Sequence, residues 1–280
     1  LDRIVDELGD RPPRADEVDS VRVAVIGRPN VGKSSLVNRM LGDQRVIVSD
    51  VAGTTRDAID TEVEIDGRHI TLVDTAGLRR KSKVAGSVDH YAQLRSERAI
   101  ERADVALIVC DAQEGLRSED LKVGEVAMKA GCATMIVMNK WDITETDIDD
   151  TRARVARKMR LRPEVVTASA LSGRNAAGLL SRAVVLADRA ARKVPTPALN
   201  RFIADVVTRN PPPSKRGRRL KLLYAAQIQV SPPRFSIQVN DKRLIAREWA
   251  YYVENQLRET YGFDGVPLII DYMPRKRDRD

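Results

Sequence analysis

The chain has 280 residues, a formal net charge of +8, 42% hydrophobic and 31% charged residues, and two cysteines. That composition excludes a disulfide scaffold and a disordered chain, and no apolar run approaches the roughly 18 residues of a spanning helix. About two domains fit the length. With no signal peptide at its start, the chain reads as soluble and cytoplasmic, with Cys110 and Cys132 buried and reduced.

The charge is unevenly divided. Residues 1–195 hold 32 Lys/Arg and 31 Asp/Glu, whereas residues 196–280 hold 16 and 9. A basic excess concentrated in a small C-terminal domain points to a polyanionic partner.

In chain order, Leu1–Leu8 has the apolar spacing of an amphipathic helix, followed by a polar, proline-containing linker to residue 19. Val21–Ile26 predicts a buried strand and Ser34–Leu41 a helix. Between them, Gly27-Arg28-Pro29-Asn30-Val31-Gly32-Lys33-Ser34 fits G-x-x-x-x-G-K-[ST] at every defined position. Such a loop offers backbone N–H groups at the positive end of a helix to a phosphate chain. Lys33 would reach the β- and γ-phosphates, Ser34 would sit on Mg²⁺, and Ser35 follows them into the helix. Thr61–Ile65 and His69–Val73 flank Asp66-Gly67, a hairpin with an I′ turn. The second strand runs into Asp74-Thr75-Ala76-Gly77-Leu78. There the Asp74 carboxylate can hold the Mg²⁺ water shell and the Gly77 N–H can sense the γ-phosphate.

Residues 78–90 read as a basic loop leading to a helix around Tyr91–Glu101. Val105–Cys110 predicts a parallel strand ending at Asp111, Ser118–Lys129 a helix, and Thr134–Met138 a strand ending at Asn139-Lys140-Trp141-Asp142. A carboxylate at Asp142 can accept from the ring N–H and the exocyclic amine of guanine, a donor pair that adenine lacks. Asn139 and Lys140 would brace the base and neighbouring loops. Val165–Ala168 predicts a strand, and the backbone of Ser169-Ala170-Leu171 could cap the guanine oxygen.

GRPNVGKS, GTTRD, DTAGL, NKWD and SAL, in this order, resemble the five motifs of the translation-factor-related GTPases, in the branch whose phosphate loop carries Asn. The resemblance implies a doubly wound, mostly parallel α/β sheet and GTP hydrolysis with Lys33, Thr55 and Gly77 as catalytic residues. It also implies Mg²⁺ held by Ser34 and Thr55 with Asp74, and K⁺ held by Asn30, Ser49, Val51 and Thr54. Leu78 stands where Ras-like enzymes have a Gln, so another group must aid the attacking water.

Leu179–Arg192 predicts the closing helix of this domain and Lys193–Pro197 a linker. The rest reads helix (Ala198–Val207), basic loop (Lys215, Arg216, Arg218, Arg219), strand (Leu220–Val230), strand (Phe235–Val239), helix (Ala246–Leu257) and strand (Leu268–Ile270). This order resembles the C-terminal half of the Der, or EngA, family of double GTPases of bacterial ribosome assembly. It implies a division into residues 1–19 (end of an upstream domain), 20–194 (GTPase) and 195–280 (a smaller α+β, KH-like domain). Implied partners are the ribosomal large subunit with its rRNA and an upstream first GTPase domain. The alternatives are an Era-type KH GTPase and an RNA-binding module that nucleotide only stabilises. Gly262-Phe263-Asp264-Gly265 matches the G-x-x-G of KH clamps but lies between a helix and the last strand, so it reads as a helix stop and turn.

Overall fold

The computed structural model describes residues 20–43, 46–48, 60–75, 97–215 and 217–274. The expected Leu1–Leu8 helix, GTTRD, the 78–90 loop, Arg216 and the site residues Ser49, Val51, Thr54, Thr55, Ala76, Gly77 and Leu78 lie outside them.

Seven strands form one sheet: β1 (Val21–Ile26), β2 (Ile47–Val48), β3 (Thr61–Ile65), β4 (Arg68–Val73), β5 (Val105–Asp111), β6 (Ala133–Asn139) and β7 (Glu164–Thr167). Their order is β2-β3-β4-β1-β5-β6-β7, parallel from β4 to β7 and antiparallel at the β2–β3–β4 edge. β5 and β6 are buried at every residue, as centres of a sheet covered on both faces must be. α1 (Lys33–Leu41) and α4 (Leu179–Ala190) supply Leu36, Met40, Leu180 and Ala183 to one core. α2 (Ser118–Lys129), α3 (Ile148–Lys158) and a helical turn over residues 97–102 supply Ala127, Val155 and Ile100 to the other. The hairpin turn has positive φ at both Asp66 (51°) and Gly67 (74°), the I′ geometry that matches strand twist.

The C-terminal part packs α5 (Thr196–Arg209) and α6 (Arg247–Tyr261) with a sheet of β8 (Leu222–Gln229), β9 (Arg234–Val239) and β10 (Ile269–Pro274), ordered β10-β9-β8. Phe235, Ile237 and Val239 turn inward while Arg234, Ser236 and Gln238 alternate outward, the pattern of a sheet covered on one face.

Several boundaries differ from expectation. α3 carries too few apolar residues to announce itself; it starts because the Asp147 side chain accepts from the Asp149 N–H (2.8 Å). The expected linker gives way to helix at Thr196, since Pro195 is extended and Pro197 sits in the first turn, where no N–H is needed. Ala246 precedes α6 as its cap, so the buried stripe is Trp249, Val253, Leu257 and Arg258. The strand expected to end at Ala168 stops at Thr167, and the last strand runs on to Pro274.

Gly262 ends α6 in the left-handed conformation (φ 67°), and the following loop does not face solvent. Phe263 and Val266 are fully buried, with the Phe263 ring 6.1 Å from that of Phe235. The Gly265 carbonyl accepts from Thr134 N at the start of β6 (2.7 Å), and its N–H donates to the Leu161 carbonyl (2.8 Å). Beneath the loop lies Arg258, 1% exposed, which donates to the carbonyls of Leu161, Phe263 and Val266 and pairs with Glu254. Burial lowers its pKa. The G-x-x-G tetrapeptide is therefore a joint between the two sheets, and the backbone groups of Phe263 and Gly265 are spent on protein.

Phe263→Ala should cost about 3–5 kcal/mol, the range for truncating a fully buried Phe. Chemical denaturation of the two proteins checks this; a loss under about 1 kcal/mol would show that the loop is not a joint.

Candidate nucleotide site

At the carboxyl end of β1 the chain turns through Gly27 (φ 147°), Asn30 (φ 65°) and Gly32 (φ 92°) before α1. A Cβ on Gly27 would lie 2.2 Å from the Val109 carbonyl oxygen, so only glycine lets the loop rest on β5. No side chain caps α1 and its first turn holds no acid, whereas α2 and α3 each carry two acids there. The N-terminal end of α1 therefore keeps free N–H groups and a positive potential for an anion. Lys33 folds back onto the carbonyls of Gly27 (2.9 Å) and Arg28 (2.7 Å), and burial pushes its ammonium down to about 8. Pro29 and Asn30 are exposed, Val31 is buried, and Ser34 and Ser35 follow Lys33 in the first turn. The Ser34 hydroxyl has no hydrogen-bond partner among the described residues.

β6 delivers Asn139, 1% exposed, between two loops. Its Nδ2 donates to the Val31 carbonyl (2.9 Å) and its Oδ1 accepts from Ala170 N (3.1 Å). Gly32 makes room for this, since its Cβ would lie 2.4 Å from Asn139 Nδ2. Lys140, held at φ 62°, pairs with Asp111 at 2.5 Å. Trp141 opens a 3₁₀ turn, Trp141–Ile143, packs on the second core and donates its N–H to the Ala168 carbonyl (3.1 Å). Asp142 in that turn is exposed and makes no hydrogen bond or ion pair among the described residues. Ser169 is buried, its hydroxyl oxygen accepting from Ser172 N (3.0 Å), while Leu171 is 82% exposed. The Ala170 N–H is already committed to Asn139.

Asp74 follows β4 with φ 56°, and its N–H donates to Asp60 Oδ1 (2.9 Å). Thr75 is tied to Thr61 through their hydroxyls (2.7 Å). Asp60 pairs in turn with Arg102 at 2.5 Å.

Three supports escaped the sequence reading: Asp60, Arg102 and Asp120. Arg28 reaches across to the buried Asp120 (2.8 Å) and to Glu114 (2.8 Å), and these partners, Asp120 foremost, raise its pKa. Asp120 also accepts from Arg117 N (2.9 Å), so one carboxylate fixes both the phosphate loop and the start of α2. The only sequence signal for it is a first-turn acid, which any helix start can show.

Lys33 supplies a pH test. Its folded pKa of about 8 lies below the roughly 10.4 of an unfolded lysine, so the unfolded chain binds more protons between those values. In nucleotide-free protein this lysine should make stability rise as pH goes from about 8 to about 10. Raised tyrosines and Cys110 act oppositely in that window, so the measurement is the difference from Lys33→Met by thermal unfolding. Parallel profiles for the two proteins would refute the assignment.

Residues 22–140 match the family described as 50S ribosome-binding GTPase, and residues 193–272 match the KH-domain-like C-terminal domain of EngA bacterial GTPase enzymes. The chain is 43% identical to GTPase Der of Heliobacterium modesticaldum, over 100% of this chain and 64% of that protein. It is 46% identical to GTPase Der of Symbiobacterium thermophilum, over 99% and 60%. Among solved structures, Era in complex with MgGDPNP and a segment of 16S ribosomal RNA is similar at 21% identity and a TM-score of 0.46, covering 92% of this chain and 93% of that one. The chain thus spans about 64% of the length of the curated relatives it matches. From the phosphate loop to the C-terminal sheet, it resembles the C-terminal part of the Der family of GTPases.

Proposed function

We propose that this chain binds GTP at the carboxyl edge of its large sheet, hydrolyses it, and acts as a cytoplasmic nucleotide switch in assembly of the large ribosomal subunit by binding rRNA. One observation carries the nucleotide reading: Asn139 ties the phosphate loop to the 168–171 loop beside a carboxylate, Asp142, that has no partner among the described residues. Guanine answers that carboxylate with two donors. The positive end of α1 and Lys33 receive the phosphates, and Lys33 exchanges two carbonyl acceptors for phosphate oxygens. Arg28 cannot serve as a finger here, because Asp120 and Glu114 hold it.

Mg²⁺ takes hard oxygen donors, and the unpartnered Ser34 hydroxyl at the loop's end together with the Asp74 carboxylate fits that need. In this reading Ser34 and Thr55 hold the ion and Asp74 orients its water shell. When bound, it offsets the charge of the reacting phosphates. The amide of Gly77 senses the γ-phosphate, and Asn30 with Ser49, Val51 and Thr54 holds K⁺ beside the phosphates, where another enzyme would place an arginine.

The RNA contact is assigned to the 215–219 loop. Lys215 and Arg218 exchange backbone hydrogen bonds (2.9 and 3.1 Å), which presents exposed cations on a tight turn.

Two experiments address the site. Asp142→Asn replaces an acceptor with a donor, so GTP affinity should fall by about 3 kcal/mol while xanthosine triphosphate gains. Calorimetric titration with both nucleotides reads this, and unchanged GTP binding would remove Asp142 from the site. Turnover should be faster in K⁺ than in Na⁺ at equal ionic strength. Because Asn30 has positive φ, Asn30→Gly keeps the loop conformation and removes only the side-chain oxygen. A K⁺ preference that survives in Asn30→Gly would mean that Asn30 merely shapes the loop.

A further inference from the structure

The positive charge of this protein has a second seat. Residues 152–193 hold 11 Lys/Arg against 2 Asp/Glu, while residues 1–151 hold 21 against 29. A near-neutral total for the GTPase region therefore hides a strongly acidic part and a strongly basic one. The basic part runs from Arg152 within α3 through the connections on either side of edge strand β7, which itself carries no cation, to the end of α4 and Lys193.

The fold gathers these cations around one edge of the sheet. Arg152 and Arg162 line a groove of about 290 Å³ on one side of Glu164, and Arg182 and Arg189 line another of about 310 Å³ on its other side. The solvent half of α3 adds Arg154, Arg157 and Lys158, all exposed and without an ion pair or hydrogen bond among the described residues. Others in the region are clamped: Arg162 pairs with Glu259 (2.7 Å), and Arg160 pairs with Glu254 and lies 3.7 Å over the Tyr251 ring. These contacts across the joint fix the basic edge relative to α6. Guarding an edge strand against mispairing needs charge on the strand itself, but these cations lie mostly on the helices beside it.

We propose that this edge is a contact surface for the phosphate backbone of duplex RNA, separate from the 215–219 loop. Nine of the eleven cations are Arg, whose planar fork suits phosphate oxygens. Between residues 152 and 193 there is no Phe, Tyr, Trp or His, and the Tyr251 ring that reaches this edge from α6 has Arg160 over it, which leaves little platform for unpaired bases to stack on. A lipid surface would need a row of apolar anchors beside the cations; Val155 of α3 faces the core, and Val185, exposed beside Arg182 and Arg189, is a single short side chain. What remains is recognition of a charged backbone without reading bases, which is how duplex RNA is met. The inference rests on the RNA-binding reading above and names a second site for it.

The test measures binding of a labelled RNA duplex of about 20 base pairs, longer than the roughly 16 a duplex-reading module spans, across a salt series. The protein is used as the whole 280-residue chain. Arg154→Gln, Arg157→Gln and Lys158→Gln together should reduce the slope of log K against log salt by about 2.7, at about 0.9 per phosphate contact. Guanine-nucleotide binding and the unfolding midpoint should stay unchanged. Lys122→Gln with Lys129→Gln on exposed α2 removes charge elsewhere and should leave the slope alone. A triple variant that moves the slope no more than this control overturns the proposal. If Lys215→Gln, Arg218→Gln and Arg219→Gln lower the slope while the α3 variant does not, the RNA reading stands and the second site falls. If neither moves it, both fall. Loss of binding to polyglutamate with RNA binding intact would also overturn it, in favour of an acidic protein.

Discussion

A side-chain amide at the end of a buried strand holds two loops at the carboxyl edge of the large sheet together. Asn139 has a donor and an acceptor, and each is used once, on Val31 and on Ala170. Buried at 1% exposure, neither group can turn to water, so losing either bond would leave a polar group stranded at a cost of about 1–3 kcal/mol. The arrangement works only because Gly32 has no Cβ at the point where Nδ2 passes, and the same residue, with positive φ, turns the loop into α1. The 27–32 loop and the 168–171 loop are therefore positioned by one residue at the end of the buried strand β6.

The other end of β6 meets the C-terminal sheet. The Thr134 N–H there donates to the Gly265 carbonyl of the joint. A Cβ on Gly265 would lie 2.9 Å from the Thr134 oxygen, and φ is 77°, so the turn is specific to glycine on two counts. Arg258 fills the space beneath with donors aimed at carbonyls, although its Nε has no partner and its charge is costly to bury. Phe263 supplies the apolar part of the joint. A tetrapeptide that could be taken for a nucleic-acid clamp is here consumed by packing, because the N–H and C=O groups of Phe263 and Gly265 already have protein partners.

Charge is organised on a longer scale than any pair. Carboxylates dominate residues 1–151, and several are structural: Asp60, Asp111 and Asp120 each anchor a cation beside the nucleotide edge. Cations dominate residues 152–193, on the helices and connections that flank the last strand, where Arg154, Arg157 and Lys158 have no ion pair among the described residues. Such separation raises self-repulsion within the basic edge and is the arrangement a polyanion relieves.

The sequence by itself determined the phosphate loop, the order of strands and the four polar ends at which Lys33, Asp74, Asn139–Asp142 and Ser169–Leu171 stand, because glycine spacing and apolar runs are local properties. It also determined the hairpin at Asp66-Gly67, since two consecutive positive φ angles select those residues. Tertiary structure decided what no local pattern carries. α3 was hidden because its stability comes from a cap and from packing of few apolar residues. Asp60, Arg102 and Asp120 act on residues 14 to 92 positions away, and their types are ordinary on any surface. That Phe263 faces a core rather than a ligand depended on where β6 and α6 meet, and that Arg152, Arg162, Arg182 and Arg189 lie around Glu164 depended on β7 being the last strand. Contacts across long sequence separations are made by the fold, and only the fold shows which of many similar residues are brought together.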